Sequence, residues 1–247
     1  MSLPAHPQPD IALIQNFLDG YRAVRGTAVM MGRSTGDFVI EFERIKVQYW
    51  ETKALSDERQ LREAPEYNIF SVLRAERDEV RTHSAFLCHL LSPHASHGQG
   101  TLFLESFLQY CASRYSTFPP LPDFSEPKDW LVSSEEHTNY GRMDIVIQNP
   151  MGHFLCVIEN KIDAPEGGEQ LIRYGKWMKE YEREYPSQAL CFLTIKGGMS
   201  VTAGTLDYFR LSYHKDIAIW IENVLDKIKA PGVQAVVHQY QALVASL

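Results

Sequence analysis

Apolar residues recur along this chain in two distinct rhythms, and the change from one to the other divides it. Ile11, Ile14, Phe17, Leu18 and Tyr21 fall at helical spacing behind Asp10, a fitting N-cap, and predict a first helix over residues 11–24. Phe38, Phe42, Ile45 and Tyr49 favour a second helix, although Phe38, Ile40 and Phe42 also alternate as a strand would. The highly charged stretch 55–65 reads as a connector. Helical spacing resumes over 68–74, 78–91 and 101–115, with a His-, Ser- and Gly-rich loop at 92–100 and an irregular, proline-rich stretch at 118–129. Short β-rich runs then take over at 131–138, 143–148 and 154–162. Leu171, Tyr174, Met178, Tyr181 and Tyr185 form a helical stripe over 168–185. A buried strand at 189–195 and closing helices at 216–228 and 233–246 follow. Helices first, then a hairpin, a crossover helix and another strand predict a mixed α/β domain.

Composition narrows the class of protein. Of 247 residues, 45% are hydrophobic and 22% charged, as in an ordinary globular protein, and the formal net charge is −7. No apolar run exceeds five residues, against the ~20 a membrane helix needs, and the first ten residues lack a cationic-then-apolar leader pattern. A soluble, cytoplasmic protein without membrane partners is therefore expected. Cys88, Cys111, Cys156 and Cys191 form no C-x-x-C pair, and each sits in an apolar segment, which disfavours both a disulfide framework and a thiolate zinc site. Negative net charge disfavours a wholly basic coat for nucleic acid but is compatible with catalytic carboxylates offset by divalent metal.

The densest chemistry lies between Gly141 and Tyr174. Asn149-Pro150-Met151-Gly152 fits a type I turn. Centring the hairpin there pairs Gln148 with His153 and sets Asp144 opposite Val157. Asp144, Val157, Glu159 and Lys161 then share one face, and Asp144 and Glu159 become diagonal neighbours with Cα atoms roughly 7–8 Å apart. Two carboxylates beside an ammonium at the end of Phe-Leu-Cys-Val-Ile are costly to bury unless paired or bound to metal. A salt bridge between Glu159 and Lys161 at the strand's exit is the plainer alternative. Upstream, a helix starting at Asp78 sets Glu79, His83, Leu87, Leu90 and Leu91 close to one face. Glu79 could point inward to a metal or simply be a solvated first-turn acid favoured by the helix dipole.

Asp144 followed by Glu159-Asn160-Lys161 on the next strand resembles the catalytic signature of the PD-(D/E)XK nuclease superfamily, most closely its bacterial, uncharacterised nuclease-like branch. Glu79 ahead of His83-Ser84, then Leu90-Leu91-Ser92-Pro93, His97-Gly98, Gln170 and Tyr174, Phe192-Leu193-Thr194 and Leu211-Ser212-Tyr213 extend the likeness from about Asn68 onward. Met143 stands where the superfamily's proline would be. The resemblance implies an α/β, restriction-endonuclease-like fold, a mixed central sheet flanked by helices, over residues 67–247, with a helical N-terminal extension at 1–66. It also implies metal-dependent phosphodiester hydrolysis, with DNA as the expected substrate and Mg²⁺ or Mn²⁺ as cofactor. Asp144, Glu159 and Glu79 would hold the metal, Glu79 directly or through water. Lys161 would orient the attacking water, and Gln170 would position water or phosphate unless it is a plain surface amide. A catalytically silent nucleic-acid-binding or assembly module on the same fold is the alternative.

Two further clusters carry less. His89, His94 and His97 with Cys88 match no familiar zinc spacing. Trp177, Lys176 and Lys179 could present a basic-aromatic face to a nucleic-acid backbone, but a solvated helix face with a half-buried Trp is the commoner outcome.

Overall fold

The computed structural model describes residues 19–20, 22–23 and 35–247. Most of the helix expected over residues 11–24 lies outside them. The chain divides into two compact units, Met1–Tyr67 and Asn68–Leu247.

In the first unit, helix α1 (Thr35–Glu63) runs for 29 residues. It takes in most of the stretch expected to be a connector. Charge is what sustains it there: Lys53 pairs with Asp57 at 3.0 Å, Arg62 with Glu58 at 2.7 Å and Arg59 with Glu63 at 2.9 Å, all one turn apart. Ala64, with φ of 39°, and Pro65 end it.

The second unit is built on a five-stranded sheet in sequence order: β1 (Leu131–Thr138), β2 (Gly141–Asn149), β3 (Phe154–Lys161), β4 (Ser187–Thr194) and β5 (Phe209–Ser212). β1, β2 and β3 pair antiparallel, whereas β4 and β5 add in parallel. A parallel β3–β4 pair requires a crossover, which the chain supplies through a helix. Ahead of the sheet come α2 (Ile69–Val72), a π-helical turn (Glu79–Ser84), α3 (Ala85–Leu91) and α4 (Leu102–Arg114). The crossover helix is α5 (Gln170–Glu180), and after β5 a second π-helical turn (Tyr213–Ile217), α6 (Ala218–Leu225) and α7 (Pro231–Ser246) complete the unit. Strand β5 was not expected from the sequence. It is four residues long, carries an exposed Arg210 and lacks a long apolar run to announce it.

Both faces of the sheet are covered, which is why β3 is buried from Phe154 through Asn160 instead of alternating. Val146, Leu155, Val157, Leu190 and Phe192 lie against Leu171, Tyr174, Trp177 and Met178 of α5. Trp177 therefore belongs to this core, while Lys176 and Lys179 face outward. On the opposite face Ile145, Ile147, Cys156, Ile158 and Cys191 join the cores of α3, α4, α6 and α7. The four cysteines are free and buried.

The β2–β3 hairpin differs from its expected register. Asn149 Oδ1 accepts from the Gly152 N–H at 2.7 Å, the His153 N–H donates to Pro150 O, and His153 takes a left-handed φ of 55°. The four-residue loop is thus 150–153, one residue further along than expected, so Gln148 pairs with Leu155 and Asn149 with Phe154. Register shifts by two residues on β3. An even shift preserves which side chains share a face. Asp144 stands one step beyond the Ile145–Ile158 pair, which brings it level with Glu159 instead of Val157.

Candidate active site

The hairpin, the first π-helical turn and α5 converge where β2 starts and β3 ends. Asp144 and Glu159 are 4% and 1% exposed, on a face otherwise lined by Val146, Val157 and Phe192. Lys161 Nζ lies 2.5 Å from Glu159 Oε1 and 3.2 Å from Glu79 Oε1, and donates to its neighbour's carbonyl, Asn160 O, at 3.2 Å. The other Glu79 oxygen accepts from the Ile162 N–H at 2.7 Å, so that carboxylate is held at both ends.

Asn160 indexes this arrangement. Its backbone N–H donates to Asp144 Oδ2 at 2.8 Å, its Nδ2 to Ser84 Oγ at 3.0 Å and to Glu79 O at 3.4 Å, and its Oδ1 accepts from Tyr213 Oη at 2.8 Å. One fully buried amide thereby ties β3 to β2 and to both π-helical turns. The first of those turns replaces the regular α-helix expected from Asp78. Asp78 caps it by accepting from the Arg81 N–H at 2.8 Å, and its i→i+5 spacing sets Glu79 over Ser84, where Asn160 meets both. His83 does not share the Glu79 face. It points into the core, 3.0 Å from Tyr240 Oη and 2.8 Å from Glu76 O, and burial lowers its pKa.

The electrostatics of the two inner carboxylates are unlike those of a structural acid. Asp216 is equally buried, yet it accepts from Tyr110 Oη, the Ser212 N–H and the Ser212 hydroxyl, and pairs with Arg114. Glu159 accepts no backbone N–H among the described residues, and its close partner is the Lys161 ammonium, 2.5 Å from Oε1. Burial first, and then the charge of Asp144, push Glu159 up to about 8. Burial also raises Asp144, against the Asn160 N–H that favours its ionised form. Desolvation pulls Lys161 down, but Glu159, followed by Asp144 and Glu79, outweighs it and holds the ammonium above the ordinary lysine value.

Gln170 opens α5. Its Oε1 accepts from the Gly167 N–H at 3.2 Å and its Nε2 donates to Tyr174 Oη at 2.8 Å. The buried Tyr174 hydroxyl in turn donates to Arg142 O, and its pKa is raised by burial and then by nearby Glu159. Glu79, Asp144, Glu159 and Lys161 are thus gathered directly, whereas Gln170 reaches them through Tyr174. Asn160, Ser84 and Tyr213 were not singled out as functional residues from the sequence. A usable signal existed: Asn160 is the polar member of the Cys156, Ile158, Asn160 row, where alternation calls for an apolar side chain.

Among the described residues, no group of three or more His, Cys, Asp and Glu side chains is gathered so as to hold a metal ion. His97 instead organises its loop, its Nδ1 accepting from the Gln99 N–H at 2.9 Å and its Nε2 lying 2.9 Å from Ser92 O. The Asp144–Glu159 pair does fit a hard divalent cation. It offers oxygen ligands, it is desolvated, and among the described residues no backbone N–H donates to either Glu159 oxygen.

Comparison with protein-family models matches residues 67–242 to the PD-(D/E)XK nuclease superfamily. The chain belongs to that superfamily, and its five-stranded mixed sheet flanked by helices is the corresponding restriction-endonuclease-like α/β fold. Comparisons with curated proteins and with solved structures give no match. Among the described residues no helix is long and apolar enough to cross a membrane.

Proposed function

We propose that the protein is a divalent-metal-dependent nuclease that hydrolyses phosphodiester bonds, with DNA as the expected substrate. The observation that carries this reading is Glu159, a buried carboxylate level with buried Asp144 and ion-paired at 2.5 Å with the Lys161 ammonium. A scaffold has no physical reason to bury two carboxyl groups side by side in a core. Asp144 and Glu159 would hold Mg²⁺ or Mn²⁺, with Glu79 joining through water, since its own oxygens are engaged by Lys161 and the Ile162 N–H. The bound cation would supply acidification of water and withdrawal of charge from the phosphate.

The chain's own groups do the rest. Lys161 stays protonated because three carboxylates surround it, so its ammonium can aim the attacking water and stabilise negative charge developing on the phosphate. Asn160 fixes where Lys161 and Glu159 leave the strand, and holds Asp144 through its backbone N–H. Gln170 uses one Nε2 hydrogen on Tyr174 and keeps the other for water or a phosphate oxygen. The test is incubation of purified protein with single- and double-stranded DNA and RNA, in Mg²⁺, in Mn²⁺ and in EDTA. Metal-dependent cleavage lost in Asp144→Ala is the expected result. Metal-dependent binding of nucleic acid with no cleavage of any substrate would establish the silent module instead.

A further inference from the structure

A cavity of about 520 Å³ opens from Lys161 toward the loop that follows β4. The geometry points to it as the subsite for the nucleotide next to the scissile phosphodiester, with Lys196 holding that nucleotide's phosphate; this rests on the nuclease reading. Its volume lies within the roughly 300–1,000 Å³ of small-ligand sites. Lys161 belongs both to the carboxylate cluster and to the cavity wall, so a strand engaged at Lys161 continues into this space. Ile162 and Phe192 give it apolar surface suited to a base, while Thr194 and Lys196 give it polar groups suited to a backbone.

Of the lysines along the lining, Lys161 is paired with Glu79 and Glu159, which leaves Lys196 to meet a phosphate. Lys196 is exposed and has no hydrogen-bond or ion-pair partner among the described residues. Glu166 supplies the lining's side-chain carboxylate, and both of its oxygens are already committed. It accepts from Ser200 Oγ and Thr202 Oγ1, each at 2.7 Å, and from the backbone N–H groups of Val201 at 3.0 Å and Thr202 at 3.2 Å. Those bonds also tie the loop after β4 to the connection between β3 and α5. Immediately after Lys196, Gly197 takes a left-handed φ of 72°, where a Cβ would sit 3.2 Å from Ser212 Cβ, and the Gly198 N–H donates to Thr194 Oγ1 at 2.8 Å. The lysine is therefore carried on a constrained turn rather than a loose loop.

The salt dependence of kcat/KM on a labelled single-stranded DNA oligonucleotide in Mn²⁺ tests this, because each phosphate neutralised adds a fixed increment to the slope of log affinity against log salt. For one phosphate on a single strand that increment is about 0.7. Lys196→Ala is expected to flatten the slope by about 0.7, with the loss appearing in KM, and Lys196→Arg to restore it. Lys128→Ala, which removes an exposed lysine outside the cavity, is expected to leave the slope as in wild type. An unchanged slope in Lys196→Ala, with wild type cleaving normally, would overturn the subsite and leave the nuclease reading intact. No cleavage by wild type of any DNA or RNA substrate, single- or double-stranded, would overturn the nuclease reading and the subsite with it.

Discussion

Replacing Glu159 by glutamine isolates the cost of burying that carboxylate. The amide keeps the shape and cannot ionise. In an unfolded chain the Glu159 carboxyl ionises near 4.5; in the folded protein, at about 8. Folding therefore favours the protonated form, so this group's contribution is most favourable below pH 4.5 and is lost progressively as pH rises to about 8. Taken from 4.5 up to pH 7, the gap corresponds to about 3 kcal/mol. For a folding unit of this size that is roughly 6–12 °C in Tm. Lys161 keeps Glu79 at 3.2 Å in the variant, so its charge is not stranded. The assay is urea or thermal unfolding of both proteins in EDTA from pH 4.5 to 8, with the difference between them plotted against pH so that titrating groups remote from Glu159 cancel. Near pH 4.5 the two should differ little, and Glu159→Gln should become the more stable by about 3 kcal/mol at pH 7. A difference that stays flat across this range, or that runs the other way, would refute the claim that burial and Asp144 hold Glu159 well above the ordinary carboxylate range.

Three other outcomes follow from the same geometry. Saturating Mg²⁺ should raise the Tm of wild type, by about 2.7 kcal/mol of stability at a hundredfold excess over Kd, and leave Asp144→Ala unmoved in differential scanning fluorimetry. Lys161→Ala should abolish cleavage while calorimetry still detects Mn²⁺, because the ammonium acts on water and phosphate rather than on the ion; retained cleavage would remove that role. Asn160→Ala should cost roughly 3 kcal/mol in urea unfolding, since it strands the Ser84 and Tyr213 hydroxyls in the core, and a loss below about 1 kcal/mol would show that Asn160 is not the hub.

The elements with long, regular apolar periodicity were legible in the sequence, and so was the face shared by Asp144, Glu159 and Lys161. That face survived an error in register because side-chain direction in a strand has a period of two, and the hairpin slipped by two. The slip itself was not legible. It depends on His153 adopting a left-handed φ and on packing against the turn, where a Cβ on Gly152 would sit 2.4 Å from Pro122 Cβ. Residues 55–63 misled for a different reason: a run of charges looks like a loop unless its i,i+4 pairing is weighed. The π-helical turn at Glu79 was hidden because it is fixed from outside by Asn160, Tyr240 and the backbone of Ile162. Long-range hydrogen bonds of that kind leave no periodic trace. Trp177 shows the converse, as its place in the α5 stripe is core, and the lysines beside it are the solvated face.

Titration calorimetry with Mn²⁺ on wild type, Asp144→Ala and Glu159→Gln, all shown to be folded, tests most directly whether the two inner carboxylates are a cation site. Wild type should give a saturable isotherm, and each variant should lose it or weaken it by at least tenfold, about 1.4 kcal/mol. Isotherms that coincide for all three proteins would contradict the account at its centre.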